Sequence, residues 1–517
     1  MDDEKELEKV GYAQELKRTF SLWSMIGFCF SIVGCWAAIS GSLSTVMVAG
    51  GPVVLFWGWL GVGGLSMFVA FSMAEICSSF PVCGGQYSWV LFLGMEDWWG
   101  RALSYVTACI QMGGLNCMGS TALYMVGQYC EGMIVLRSAE GTEAKNWHVV
   151  LISWALLFGV TMFNIFCNWL QHHVSSFALF WSMFAFVLSS IVVLAVNDEK
   201  QTGSFVFTQF VNDSGWTNIG MVVIIGIMQS AYGMCTYDAP AHMCEELAHA
   251  SRDAPRAIVI CVVIGFITGF CYILVLMFSI HNVEDVATTP TGVAILEIFY
   301  QATSSKAGAI GLQTLIMMCQ VFASNALLVE NSRSVYALAR DGAFPKFISN
   351  RLRTIHQGLD VPIWAIVISA IFEAIWVAIL FGSTEAFFTV LSVATIGLYI
   401  SYLMPIAVAI FRRNQLRDER FYSLGKWGLC CNIVASIYLL FCSIFFFFPS
   451  EMPVSASNMN YACVAFGIIA LLGLLCWVGG GRKYYAVEVM AGDTEHLEDN
   501  EEIDREKIPA SITVSEV

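Results

Sequence analysis

IIGIMQSAYGMCTYDAP, residues 224–240, decides how the rest of the chain is read. It begins as an apolar stretch fit for a bilayer and ends in glycine, aspartate and proline. Gly233 and Pro240 both work against a continuous helix, and Asp238 is a charge where an apolar segment should carry none. A second stretch, SMIGFCFSIVGCWAAIS at 24–40, has the same character, with Gly27 and Gly34 flanking Ser31-Ile32-Val33. An interrupted helix bares main-chain N–H and C=O groups, which a bilayer tolerates only where protein or a wet cavity meets them. Two such stretches in one chain point to a binding site at the membrane midplane.

The composition sets the context. The chain has 517 residues, of which 57% are hydrophobic and 13% charged, with a mean hydropathy of +0.69. A water-soluble domain carries more polar surface. Apolar runs of about 20 residues or more, enough to cross a bilayer, fall near 21–48, 53–79, 101–128, 148–167, 174–196, 217–238, 256–280, 308–332, 362–382, 384–410, 427–448 and 460–480. Twelve spans place both termini on one side. Of the 25 Lys and Arg, 21 fall on that side, so the termini are expected in the cytoplasm. Residues 1–20 and the acidic end 481–517, with EHLEDNEEIDREK at 495–507, read as solvated tails that hold much of the net charge of −15. Neither suggests a nucleic-acid partner.

Soluble-enzyme signatures are missing: there is no GxxxxGK[ST], HExxH, GxSxG or CxxC. The 18 cysteines are scattered through apolar runs without metal spacing. The expectation is therefore no catalytic centre, no metal and no organic cofactor. Asn212 opens an NDS sequon in a loop expected outside, a possible glycosylation acceptor.

The two interrupted spans, the first and the sixth, lie five places apart, the spacing of an inverted pair of five-helix repeats. Four stretches then carry a resemblance: FSLWSMIGFCFSIVGCW (20–36), MAEICSSFPVCGGQYSW (73–89), YDAPAHMCEE (237–246) and NSRSVYALARDGAFP (331–345). In this order they resemble the amino acid–polyamine–organocation permeases, in particular the fungal amino-acid, GABA and choline branch. The resemblance covers about 18–480. It implies an all-α LeuT-type transporter domain over 21–480, with repeats at 21–196 and 217–410 and two additional helices in 427–480. It also implies a small-molecule partner and a plasma-membrane address. By the same resemblance Tyr232 closes over the substrate from outside, Asp238 begins the inner half of span 6, and Pro255 begins span 7.

The physics of such a site follows from the breaks. Unwinding at Ser31–Gly34 and at Gly233–Tyr237, including Met234, frees N–H groups suited to a carboxylate and carbonyls suited to an ammonium or ion. Gly27, Ile32 and Val33 belong to the first break. Gln111, Asn116 and Asn325 are candidate side-chain contacts, each equally able to glue helices together. Asp238 is the candidate for proton coupling, with sodium as the alternative ion, and Glu75 is a candidate for gating. Glu330 is expected to pair with Arg333. Glu245, Glu246, His249, Arg252 and Asp253 are expected to be solvated or locally paired. Many relatives carry a Gly-Ser/Ala-Gly run where this chain has Ser31-Ile32-Val33-Gly34, and a bulky Ile-Val pair would narrow a carboxylate cradle. That keeps choline, GABA and polyamine-like amines open beside α-amino acids. A nutrient sensor of the same architecture is a further alternative.

Overall fold

The computed structural model describes residues 4, 7–8, 11–41, 43–95, 97–138, 144–381, 385–418, 420–455 and 458–486. Twelve principal helices match the expected spans. They are α1 Leu22–Gly41, α2 Gly51–Ser79, α3 Trp98–Arg137, α4 Asn146–Phe166, α5 Gln171–Val196, α6 Ile219–Gly233, α7 Ala250–Ser279, α8 Lys306–Arg340, α9 Ile363–Ala378, α10 Glu385–Phe411, α11 Gly428–Phe445 and α12 Ala462–Cys476. Among the described residues nine segments are long and apolar enough to cross a bilayer; α6 and α9 are shorter, and α3 is long but more polar. Phe180, Ile375, Ile437 and Leu475 stand exposed on the outer faces of α5, α9, α11 and α12, the surface that lipid covers.

The packing has an internal symmetry. α2 lies on α7, α3 on α8 and α4 on α9. The contact of α6 with α2 has its counterpart in α1 with α7; α3 with α4 matches α8 with α9, and α3 with α10 matches α8 with α5. Each rule survives exchanging a helix with the one five places on. Five is odd, so the second set starts from the opposite face and the repeat is inverted. α1 and α6 are counterparts, and both are broken.

Several expectations need correction at the ends of the chain. Residues 11–20, assigned to a solvated tail, are partly packed: Tyr12, Leu16 and Phe20 are buried. Phe20 donates its N–H to the Glu246 carbonyl at 3.0 Å and accepts from Ala248 N–H at 3.1 Å, a short parallel bridge beneath α6. At the other end, Tyr485 is buried against Tyr105 and Ser104, and Ala486 N–H donates to the Asp341 carbonyl at 2.8 Å. Both segments are drawn in because their apolar side chains find a partner there. The acidic stretch 495–507 and the 382–384 part of the turn between α9 and α10 lie outside the described residues. Pro255 sits inside the second turn of α7, which begins at Ala250.

At the end opposite the termini, Ala49–Gly50 pairs antiparallel with Val211–Asn212 and ties the exit of α1 to the entry of α6. Asn212 is exposed there, its amide donating to the Trp216 carbonyl at 2.9 Å while Ser214 Oγ bonds its carbonyl at 2.9 Å.

Gly27 lies within the helical part of α1, away from the break. A Cβ there would run into the Ser175 carbonyl of α5, so this glycine permits close approach of two helices. Gly27→Val is therefore expected to lower the thermal unfolding midpoint in detergent, by an overpacking cost of about 1–3 kcal/mol. An unchanged midpoint would contradict the close contact.

Candidate substrate cavity and its closing end

The break in α1 is one residue wide. Leu22–Val33 is helical to its end, and Gly34, at φ 34° and ψ 37°, ends it in the left-handed region. The second segment starts at Cys35. Ser31, Ile32 and Val33 are thus not unwound as expected: Ser31 Oγ bonds the Gly27 carbonyl at 2.6 Å, a normal helical back-bond. The main-chain groups set free are those flanking Gly34. Any side chain here would meet the φ penalty and point at the carbonyls of Phe30, Ser31 and Ile32.

The break in α6 is wide. The helix ends at Gly233, and Met234–Tyr237 is irregular, with Thr236 at φ 62°. Asp238 starts a short turn, Ala239–His242. Neighbours meet the bared carbonyls: Tyr399 OH of α10 donates to Ala231 at 2.7 Å, and Cys29 Sγ of α1 approaches Tyr237 O at 3.9 Å. Cys35 Sγ lies 3.4 Å from Met234 Sδ, so the two breaks adjoin.

A small cavity opens beside them, lined by Phe30, Ser31, Ile32 and Gly34 of α1, Met118 and Ala122 of α3, Ser182 of α5, Tyr232 of α6 and Gln320 and Phe322 of α8. None of its lining residues is charged. Tyr232 also lines a second cavity, walled by α10 and α11. Its ring therefore stands between the inner cavity and the end opposite the termini. There a third cavity is roofed by residues 286–294 of the α7–α8 loop.

The expected amides are elsewhere. Gln111 Nε2 is 3.0 Å from His242 Nε2; Asn116 donates to Met112 O and to Asn331 Oδ1. Asn325 exchanges bonds with Gln171 and Asn164. All three glue helices. Glu75 is buried and clamped by Arg413 (2.8 Å), Arg420 (3.2 Å) and the Leu424 N–H (2.9 Å), fastening α2 to the α10–α11 connection. Asp238 is fully buried: Tyr402 OH donates to Oδ1 at 2.5 Å and Gln86 Nε2 to Oδ2 at 2.8 Å. The reading from sequence missed Gln86, His242 and Tyr402 around it, although the i, i+4 spacing of Asp238 and His242 was visible.

The end bearing the termini is closed by ion pairs that span the bundle. Glu245 and Glu246, expected to be solvated or locally paired, are buried. Arg340 of α8 grips Glu245 through two bonds of 2.9 Å, and Arg333 takes Glu246 at 2.5 Å. Glu330 consequently has no pair with Arg333. Burial alone would raise the Glu245 carboxyl, but Arg340 holds it below the ordinary range. Beside them Asp341 accepts from Tyr12 OH (3.1 Å) and Tyr87 OH (3.0 Å). Its burial pushes its pKa up to about 6, against the pull of Arg340.

Comparison with known proteins places the chain. Residues 20–471 match the family model described as Amino acid permease. A provisional amino acid/polyamine transporter of Macrophomina phaseolina is 43% identical over 85% of this chain and 97% of its own length. Amino-acid permease BAT1 of Arabidopsis thaliana is 30% identical over 93% of this chain and 95% of its own. The choline transporter of Saccharomyces cerevisiae is 29% identical over 97% and 88%.

Asp341 gives a signed pH test. Between the ordinary carboxylate value and about 6, the folded chain binds more protons than the unfolded one. The stability this contributes is present at low pH and lost as pH rises through about 6. Asp341→Asn should flatten that part of the profile. From pH 4 to 7 the wild-type thermal midpoint should fall relative to the variant's, by a difference of about 2–3 kcal/mol. Parallel profiles would remove Asp341 as the cause.

Proposed function

The chain belongs to the amino acid permease family, and on that premise we propose that it is a secondary active transporter working by alternating access. Family membership makes it a membrane transporter of amino acids or related organic cations, not an enzyme. The single observation that carries the finer reading is the meeting of two broken helices at a cavity that Tyr232 separates from a vestibule.

The cycle proposed is as follows. Substrate descends past the 286–294 loop and Tyr232 into the cavity. Because no charged side chain lines it, the substrate's charges are met by main-chain dipoles beside Gly34 and by Ser31, Ser182 and Gln320. An ammonium group also finds the rings of Phe30, Tyr232 and Phe322. Release requires the Arg333–Glu246 and Arg340–Glu245 pairs to part, so the closed structure is one end of the cycle. Coupling is to protons through the buried acid cluster at Asp238. The membrane proposed is the plasma membrane, with both termini cytoplasmic.

The test is uptake by proteoliposomes at two pH values, with neutral and basic amino acids, GABA, choline and polyamines as competitors. Accumulation of one class above the outside concentration is the expected result; saturable binding without accumulation would mean a sensor instead. Tyr232→Ala should raise the half-saturating concentration of the accumulated substrate by about tenfold, the loss of roughly 1.4 kcal/mol of contact. Arg340→Ala leaves Glu245 buried and unpaired, at a cost of about 3–5 kcal/mol. It should therefore increase labelling of Cys244, now buried, by a membrane-impermeant thiol reagent, read by peptide mapping. Unchanged labelling would count against this pair as the closing contact.

A further inference from the structure

One turn of α8 beyond the cavity, three titratable side chains meet. Asp238, His242 and Glu330 are each fully buried, and one ligand atom from each lies within 4.8 Å of the others. Leu327 lines the cavity, so Glu330 is about 4.5 Å further along the helix axis. Arg333, the next step along α8, is taken by Glu246.

The hydrogen bonds separate the two acids. Both oxygens of Asp238 already hold donors, Tyr402 OH on one and Gln86 on the other. That is how an ionised carboxylate is satisfied. Among the described residues neither oxygen of Glu330, both buried, has a hydrogen-bond partner. An ionised carboxylate in that condition would carry an unmet charge beside a second one, which the interior does not support.

His242 cannot balance both: its Nδ1 faces the Cys83 carbonyl at 2.9 Å, and its Nε2 sits 3.0 Å from the Gln111 amide nitrogen and 3.3 Å from Asp238, while among the described residues it makes no bond to Glu330. The other titratable groups facing the cluster are Cys29 of α1, Cys261 of α7, Cys235 and Tyr237 of the irregular segment, and Tyr402 of α10. Glu373 of α9 bonds Asn331, the next residue on α8. Among the described residues no Lys or Arg pairs with Asp238 or Glu330.

We propose that Glu330, beside an ionised Asp238, is the group that holds the transported proton. In the closed structure it is the neutral acid. When the Arg333–Glu246 pair parts, water reaches it and the proton leaves to water at the termini end; the emptied protein then re-closes that end and opens the opposite one, from which Glu330 takes a fresh proton as the next substrate binds. This deepens the transport reading and rests on it for its role; the protonation itself does not depend on transport.

Two measurements test it. Infrared difference spectra of the purified protein at neutral pH should show a protonated carboxylic-acid band that Glu330→Gln removes, in a Glu373→Gln background that clears the buried acid of α9. In proteoliposomes, wild type should accumulate radiolabelled choline or amino acid by about tenfold per pH unit of imposed gradient for one coupled proton. In Glu330→Gln the ratio of uptake with and without the gradient should fall to about one, and Glu330→Asp should restore it. A band that survives Glu330→Gln overturns the proposal, as does gradient-driven accumulation in that variant or accumulation driven by sodium alone. If wild type accumulates nothing while the band behaves as expected, the protonation of Glu330 stands and the transport reading falls.

Discussion

The stretch Met234–Asp238 leaves the helix in the middle of an apolar bundle, and much of the surrounding structure exists to satisfy what it bares. Hydrocarbon offers its carbonyls and N–H groups nothing. The Tyr399 hydroxyl, which also bonds Tyr438 at 3.1 Å, caps the carbonyls at the end of α6. Cys235 and Thr236 fold their side chains back onto the local main chain, and Tyr402 and Gln86 hold the carboxylate that starts the next turn. These helpers come from α10 and from the Gln86–Phe92 turn, elements outside the repeat pair formed by α1 and α6. A break this wide is stable only inside a nearly complete bundle.

α8 converts that local arrangement into an axis. Gln320, Ala323 and Leu327 face the cavity; Glu330 meets the acid at the break; Arg333 and Arg340 reach the segment that follows it; Asp341 ends the helix on two tyrosines. The steps of three, four and seven residues keep these groups on one side of the helix. Cavity, buried acid and closing pairs thus lie in line on one rigid element, and a movement of the segment after α6 against α8 would change all three together.

The spans and the pair of breaks were legible in the sequence because hydropathy and Gly, Asp and Pro act locally. Position 233 ends the helix as expected. The partners were not legible. Glu245 and Glu246 look like a charged turn bound for water, and only the fold reveals that Arg340 and Arg333 arrive from α8 to bury them. Glu330 and Arg333 are one turn apart, so a local pair was the natural reading; the competing acid, Glu246 in the segment after α6, is 87 positions from Arg333 in the chain. Gln111, Asn116 and Asn325 were chosen as polar residues in apolar spans. Such residues must find a partner somewhere, and neighbouring helices supplied it before the cavity could. Tyr12 and Phe20 show the same limit from the other side: a tail rich in charge hides the few apolar residues that dock it.

The Ile-Val pair at 32–33 illustrates why the width of a break matters for selectivity. Unwound, both side chains would crowd a carboxylate cradle. Helical to Val33, the pair divides: Ile32 lines the cavity, while Val33 is buried toward Gly265 of α7. Only one branched side chain then faces the substrate, and the main chain open to it shrinks to the groups around Gly34. Fewer N–H groups converge there than in a break of four residues, which weakens the hold on a carboxylate. The carbonyl ends of Leu22–Val33, the hydroxyls of Ser31 and Ser182 and the aromatic rings remain, and these favour the cationic end of a small amine. On the proposed transport reading, the balance between zwitterion and simple organic cation would turn on one glycine and one isoleucine.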